Sequence, residues 1–322
     1  MQHNQTTRRD FLRNTALAAA GAAVFPQILT ACSTSKKSAN TMNDGLFFKI
    51  SLAEWSLHRA LFAGKMTNLD FPAKAKNDFG IDAIEYVNQF FKDKARDKTY
   101  LAELKKRCDD NGVKSLLIMC DGEGWLGDAD PKKRQEAVEN HYKWVEAAQF
   151  LGCFCIRVNA GGQGTATEVA AQAVDGLRRL TEFGKQHGVA VIVENHGSHS
   201  SNGKWLADVI RRVDMKECGI LPDFGNFCTK WKGTDYGECA EQYDRYLGVQ
   251  EFMPFAKDVS AKAYDFDAQG NCVETDYRRM LKIVKDAGYR GYIGIEYEGN
   301  KLGEEEGIRA TLALLKKVGA EV

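Results

Sequence analysis

Three carboxylates in this sequence each stand directly after a short apolar run. Glu194 follows Val-Ile-Val, Asp223 follows Ile-Leu-Pro, and Glu296 follows Ile-Gly-Ile. An acid in this position lies at the C-terminal end of a buried parallel strand, which is the edge where α/β barrels assemble their active sites. We expect the three carboxylates within roughly 6 Å of one another, as one shared divalent cation requires. Carboxylates this close raise one another's pKa, so the cluster calls for a metal or a cationic neighbour.

The elements that must position these acids form a repeating pattern. Short apolar runs alternate with amphipathic, helix-like stretches, and the runs that we predict as strands are residues 47–53, 83–87, 115–119, 154–158, 190–193, 219–221, 258–261 and 292–295. Such β/α units close naturally into a (β/α)₈ TIM barrel of the α/β class. A doubly wound open sheet uses the same alternation, but no GxGxxG motif follows the first strand.

Further polar side chains are predicted to face the barrel interior. Arg157 and Asn159 alternate with apolar residues on the fourth predicted strand, and Glu85 stands near the end of the second. An interior Arg or Asn can hydrogen-bond polar groups of a ligand. The alternative is an ion pair of Arg157 with Glu85 or with Glu194.

Histidines and aromatic residues also fall where a barrel mouth is expected. His58 comes after the first strand and His196 two residues after Glu194, and each is either a ligand or acid/base group or a structural hydrogen bonder. Trp55, Trp125 and Tyr297 are candidates to stack on a ligand at the rim, although core packing is the commoner role of an aromatic side chain.

Three segments carry a family resemblance, namely Glu-Asn-His-Gly from residue 194, Pro-Asp-Phe-Gly-Asn from residue 222 and Ile-Gly-Ile-Glu-Tyr-Glu-Gly from residue 293. They resemble the sugar phosphate isomerase/epimerase superfamily of xylose-isomerase-like TIM barrels, over residues 47 to about 318. The resemblance implies a divalent cation held by a Glu after the fifth strand, an Asp after the sixth, a His on the seventh and a Glu after the eighth. Glu194, Asp223 and Glu296 match three of these positions.

The fourth ligand position departs from the family pattern. Ser260 stands where the family has His, and the family's Asp-x-x-His ends here in Asn226. A metal can still bind through three carboxylates with water or a displaced His, with Mn²⁺ or Mg²⁺ expected first and Zn²⁺ or Co²⁺ as alternatives. In the second interpretation the ammonium of Lys262 replaces the metal. Three acids against one lysine leave the site anionic, which favours the metal.

The resemblance implies a carbohydrate isomerase or epimerase that abstracts a proton next to a carbonyl. Glu194, Glu296, Lys262 and His196 are the catalytic candidates. The candidates for substrate binding are Glu85, Arg157, Asn159, His58, Trp55 and Asn226. A 3-keto-glycoside lyase using the same enolisation and a non-catalytic sugar-binding lipoprotein remain alternatives. A phosphodiesterase of the endonuclease type shares the barrel but usually has more histidines and a basic groove.

The N-terminal region predicts export. Arg8 and Arg9 before an apolar run resemble a twin-arginine signal, and the run ends at Leu-Thr-Ala-Cys32, which resembles a bacterial lipobox. We therefore expect residues 1–31 to be a signal peptide, Cys32 to be lipidated and residues 32–44 to be a tether. The alternative is a signal that is not cleaved, or one that is cleaved without lipidation. Residues 45–322 would be the barrel domain, anchored on the periplasmic side of the cell envelope.

Composition limits the partners and the cysteine chemistry. With 44 Lys and Arg against 44 Asp and Glu, the net charge is zero and no nucleic-acid partner is indicated. We expect a small-molecule carbohydrate as ligand and membrane contact only through the lipid anchor. Several of the nine cysteines lie in apolar runs and are predicted as buried thiols, and a disulfide framework is not expected in a chain of this size.

Overall fold

The computed structural model of the protein describes residues 45–233 and 237–322. The strands are β1 (Lys49–Ala53), β2 (Ala83–Val87), β3 (Lys114–Met119), β4 (Cys155–Val158), β5 (Ala190–Glu194), β6 (Cys218–Leu221), β7 (Cys228–Trp231), β8 (Cys239–Gln242), β9 (Val259–Ala263) and β10 (Tyr292–Tyr297). Strands β7 and β8 pair as an antiparallel hairpin. The other eight form one parallel sheet in the order β6-β5-β4-β3-β2-β1-β10-β9.

The two edges of this sheet, β6 and β9, meet each other. Isolated parallel bridges join Ile220 to Ala256 and Asp223 to Ser260. The amide of Ser260 also donates to the carbonyl of Pro222 at 2.9 Å. The sheet is therefore curled into the predicted (β/α)₈ barrel, and the doubly wound alternative is excluded.

Helices alternate with the strands, as expected for β/α units. They are α1 (His58–Phe62), α2 (Phe71–Phe79), α3 (Lys98–Asn111), α4 (Pro131–Leu151), α5 (Ala166–Gln186), α6 (Gly203–Val213), α7 (Arg245–Phe252), α8 (Tyr277–Asp286) and α9 (Glu304–Glu321). Local chemistry sets their ends: Asp130 caps the first turn of α4, and Gly152 ends that helix in the left-handed conformation. In the part of the chain that the structure describes, no helix is both long and apolar enough to span a bilayer.

Apolar side chains fill two separate layers. The larger lies between the strands and the surrounding helices, with Trp144 of α4 fully buried in it. A smaller cluster fills the barrel interior, and its buried members are Ala53, Val87, Leu117, Met119, Cys155, Ile192 and Leu221. Strand alternation directs one set of side chains to each layer. The interior cluster supports the polar groups at the barrel mouth.

The hairpin β7–β8 was not predicted from the sequence. Its strands are joined by a disulfide between Cys228 and Cys239. The other cysteines of the described residues are free and buried, as the apolar runs around several of them indicated. The expected signal peptide of residues 1–31, lipidated Cys32 and the tether of residues 32–44 lie outside the described residues.

Candidate active site

Three buried carboxylates meet at the C-terminal end of the barrel. Glu194 ends β5, Asp223 follows β6, and Glu296 lies in β10. One ligand oxygen from each lies within 4.8 Å of the other two. All three side chains are nearly or fully buried. The predicted convergence of these acids is confirmed, and it follows from their shared position at the ends of neighbouring parallel strands.

Lys262 of β9 enters the same cluster. In the strand register it lies opposite Glu296. Its Nζ is 3.0 Å from Oε1 of Glu296, 3.2 Å from Oε2 of Glu298 and 3.8 Å from Oδ2 of Asp223. Burial lowers the pKa of Lys262, but the surrounding carboxylates outweigh this effect and hold the pKa above its usual value. Lys262 is therefore an ammonium at neutral pH.

Ser260 links two of the acids. Its Oγ lies 2.8 Å from Oδ2 of Asp223 and 2.8 Å from Oε2 of Glu296. A hydroxyl has only one proton, so it can donate to only one of these oxygens at a time. Burial raises the pKa of Asp223 to about 7, with Lys262 opposing the rise and Glu194 adding to it. Without a cation, Asp223 is thus partly protonated and can donate to Ser260.

Arg157 holds the other side of the cluster. Its Nε lies 2.8 Å from Oε2 of Glu194 and its Nη1 lies 2.8 Å from Oδ1 of Asp121. Asn159 also donates to Oδ1 of Asp121, at 2.7 Å, and Asn226 donates to Oε1 of Glu194, at 3.0 Å. Burial raises the pKa of Glu194 to about 7, although Arg157 opposes the shift. The ion pair with Glu194 was one of the two pairings expected for Arg157.

The donor set fits a divalent cation. Two cationic side chains, Arg157 and Lys262, lie among five acids. The acids are Glu194, Asp223, Glu296, Asp121 and Glu298. Oε2 of Glu194 is buried and accepts no hydrogen bond of good geometry. Three carboxylate oxygens within 4.8 Å suit a hard cation. Glu194, Asp223 and Glu296 would hold it.

A cavity of about 1060 Å³ opens onto this cluster. The predicted site residues that line it are Trp55, Arg157, Asn159, His196, Asn226, Lys262 and Glu296, and Trp125 lines it at the rim. Burial lowers the pKa of His196, and the nearby Arg157 lowers it further. His196 therefore presents a neutral imidazole to the cavity.

Five candidates do not line this cavity. Glu194 and Asp223 are buried in the acid cluster, of which Glu296 lines the cavity. His58 lies behind Trp55: its Nδ1 is 2.7 Å from the Trp55 carbonyl and the two rings stack. Glu85 is fully buried one layer deeper, where its carboxylate lies against Gly294 and accepts from Ser51 at 2.5 Å. Tyr297 is fully buried in the outer core.

Sequence reasoning missed three contributors to the site. Asp121 follows the apolar run of β3 by one residue, and Glu298 has the same strand parity as Glu296. The pattern that identified the first three acids could have found both. Trp231 of the hairpin also lines the cavity, and no local pattern indicated it.

The chain belongs to the xylose isomerase-like TIM barrel family, whose profile matches residues 73–318. Solved structures share this fold at low identity. An IOLI protein with a bound zinc atom is 16% identical with a TM-score of 0.66, over 85% of this chain and 99% of that one. D-Psicose 3-epimerase with D-tagatose, from Clostridium cellulolyticum H10, is 12% identical with a TM-score of 0.65, over 84% and 99%.

The apo 3-keto-D-glucoside 4-epimerase YcjR of E. coli is also similar. It is 16% identical with a TM-score of 0.59, over 84% of this chain and 99% of that one. No curated protein sequence matches the chain. At these identities the structural matches establish the shared fold.

Proposed function

We propose that this protein is a carbohydrate isomerase or epimerase that moves a proton on the carbon next to a sugar carbonyl. The observation that carries the proposal is the buried cluster of Glu194, Asp223 and Glu296, whose ligand oxygens lie within 4.8 Å of one another and whose member Glu296 lines a large cavity. Burying several like charges costs free energy, whereas apolar side chains buried in the same place would not carry this cost. Such a cluster is therefore more useful for chemistry than for folding.

The carboxylates supply the acid/base groups. Glu296 lines the cavity, and Glu194 ends β5 within the same acid cluster. One takes the proton from the carbon, and the C–H electrons form a C=C bond while the carbonyl electrons move to oxygen. If the proton returns to the former carbonyl carbon, and the hydroxyl on the first carbon passes its own proton to the neighbouring oxygen and becomes the new carbonyl, the product is an isomer. If the proton returns to the opposite face of the first carbon and the original carbonyl re-forms, the product is an epimer. A divalent cation at Glu194, Asp223 and Glu296 would polarise the carbonyl.

Lys262 and His196 have supporting roles in this proposal. The raised pKa of Lys262 makes it a poor base but a good partner for an oxygen that gains negative charge. His196, with a lowered pKa, can accept or donate a hydrogen bond at a sugar hydroxyl. With these roles for Lys262 and His196, the proton is abstracted by a carboxylate and not by Lys262.

The substrate proposed is an unphosphorylated sugar. Arg157 and Lys262, the two Arg or Lys side chains that line the described cavity, each contact two or more carboxylates. A phosphate would need a cation without such partners. A neutral carbohydrate needs only hydrogen-bonding groups, which Asn159, His196 and Asn226 offer.

The size of the cavity favours one alternative reaction, the opening of a 3-keto-glycoside. The same base would remove the proton at C2, the electron pair would form a C1–C2 double bond, and the bond from C1 to the glycosidic oxygen would break. The leaving oxygen would take up a proton. A cavity of about 1060 Å³ has room for both the sugar and its leaving group. The products distinguish this lyase from an epimerase.

We also propose that the protein works outside the cytoplasm as a lipid-anchored enzyme. The twin-arginine-like leader and the lipobox at Cys32 motivate this proposal. The disulfide between Cys228 and Cys239 supports it, since disulfides persist mainly in oxidising compartments.

Solvent deuterium uptake tests the proposed chemistry. The full chain, supplied with Mn²⁺, is incubated in D₂O with a panel of ketoses and 3-keto-glycosides, and the sugars are analysed by NMR. We expect deuterium at the carbon next to the carbonyl in at least one of them. Sugar binding without any exchange would favour the non-catalytic binding protein.

A further inference from the structure

We infer that the disulfide-bridged hairpin β7–β8 forms a second sugar subsite, in which the indole of Trp231 stacks on a ring attached to the reacting sugar. This inference rests on the proposed function, because it places the reacting ring at the acid cluster. It adds a substrate class: a disaccharide or other glycoside with a ring in the leaving position.

The hairpin forms one wall of the cavity that contains the acid cluster. Cys228, Trp231, Cys239 and Gln242 line the same cavity as Glu296. The hairpin begins two residues after Asn226, which donates to Glu194. The wall therefore continues directly from the loop that holds the acids, so one ligand can touch both.

Trp231 is packed against the loop after β5. A Cβ atom at Gly197 would lie 2.1 Å from the nearest atom of the Trp231 ring, so the ring occupies the space that any side chain would need. Gly197 has a φ of +92°, a conformation that favours glycine. Its neighbour His196 lines the cavity. This contact places the indole beside His196, which follows Glu194 by two residues.

The disulfide gives this wall a defined shape. A two-stranded hairpin is marginally stable in water on its own, and the register of β7 and β8 shifts twice. Cys228 and Cys239 close the loop over a separation of 11 residues. Such a bridge restricts the unfolded states of the hairpin. Trp231 lies between the two cysteines in the sequence and therefore belongs to this closed loop.

The chemistry of the wall suits a neutral sugar ring. An indole face packs on the C–H face of a sugar, and the amide of Gln242 can bond its hydroxyls. The two lysines of the hairpin region, Lys230 and Lys232, are already paired with Glu241 and Glu238. The cavity volume of about 1060 Å³ lies at the top of the usual range for small-molecule sites, roughly 300–1,000 Å³. One hexose ring would leave most of it empty.

Binding of matched sugars tests the subsite. Calorimetry with the full chain and Mn²⁺ compares 3-keto-D-glucose with the 3-keto derivatives of cellobiose, maltose and trehalose. We expect at least one disaccharide to bind about tenfold more tightly than the monosaccharide, as one aromatic stacking contact allows. Trp231→Leu should remove that preference and Trp231→Phe should retain most of it. The control Trp205→Leu changes a tryptophan outside the cavity and should keep the preference intact.

The two proposals fail separately. Equal binding of the monosaccharide and of every disaccharide by the wild-type protein would overturn the subsite, even if deuterium exchange occurs. A preference that survives Trp231→Leu in a variant with unchanged thermal stability would overturn it as well. A preference lost in Trp231→Leu, without deuterium exchange in any probe, would support the subsite and overturn the isomerase proposal.

Discussion

The Nζ atom of Lys262 lies 3.0 Å from Oε1 of Glu296, and the two residues face each other across β9 and β10. The carboxylate of the last strand therefore has an ammonium counterion from the chain itself. Its other oxygen contacts Ser260 at 2.8 Å. These two contacts orient the Glu296 side chain. The positive charge of the neighbouring Lys and Arg side chains is still smaller than the negative charge of the acids in the cluster. The predictions below follow from this imbalance and from the burial of the groups around it.

Glu296→Gln should reduce deuterium exchange next to the substrate carbonyl by at least about 10²-fold. Glutamine keeps the shape and much of the hydrogen bonding of glutamate but removes the charge and the basicity. The measurement is the NMR exchange rate under saturating Mn²⁺. Exchange that survives the substitution would move the base to Glu194 or Lys262.

The affinity for Mn²⁺ should fall in one variant of the cluster and should not fall in another. Asp223→Asn removes a proposed ligand, so we expect Mn²⁺ to bind at least about tenfold more weakly. Lys262→Met removes a positive charge beside the site, so Mn²⁺ should bind at least as tightly as in the wild type. Calorimetry of Mn²⁺ binding checks both, with Asp286→Asn on the outer surface as the control. Unchanged affinity in Asp223→Asn would remove the metal from the proposal.

The same metal affinity should depend on pH. The pKa values of Glu194 and Asp223 are both raised to about 7 by burial. Protons therefore compete with the cation, and affinity should fall as the pH is lowered through this region. Titrations with Mn²⁺ between pH 6 and pH 8 measure the effect.

Arg157→Met should destabilise the fold strongly. The substitution leaves the buried carboxylate of Glu194 without its cationic partner, and breaking a buried ion pair costs about 3–5 kcal/mol. Arg179→Met, which breaks the exposed ion pair with Asp175, should change the unfolding free energy by about 1 kcal/mol or less. Urea unfolding of both variants gives the comparison, and similar losses would show that the pair with Glu194 carries little energy.

Asp258→Asn should flatten the pH dependence of stability. Burial raises the pKa of Asp258 from 3.8 to about 8, so the folded chain keeps a proton that the unfolded chain releases. Stability therefore falls as the pH rises from about 4 to 8, by at most about 1.4 kcal/mol per pH unit for one such group. Asparagine has no proton to lose. Part of the slope should remain, because burial also raises the pKa of Glu54 to about 8.

Thermal unfolding across this pH range tests the effect of Asp258. Asp286→Asn, which changes an exposed aspartate of α8, should leave the slope as it is. An Asp258→Asn variant with the same pH dependence of stability as the wild type would contradict the protonated state of Asp258.

Cys32→Ala should release the protein from the membrane fraction of a bacterial host. The prediction follows from the lipobox that ends at this residue. Metabolic labelling with a radioactive fatty acid should mark the wild-type chain and the control Ser33→Ala but not Cys32→Ala. Labelling of all three would place the lipid on another residue.

The sequence alone determined the barrel and its three central acids. Residues 83–87 were predicted as a strand with the bounds that the structure shows. Strand alternation and helical periodicity are local properties, and parallel strands in a barrel bring their C-terminal ends to one mouth. An acid after an apolar run is therefore placed by its own strand, as Glu194 and Glu296 are.

Tertiary structure decided which groups meet across that mouth. The strand pattern allowed Arg157 to pair with Glu85 or Glu194, and only the depth of each side chain in the barrel separates them: Glu85 lies a layer lower against Gly294. The disulfide between Cys228 and Cys239 likewise depends on a hairpin whose polar strands carry no clear alternation. Contacts of this kind arise from the relative positions of several elements, which no single segment of sequence encodes.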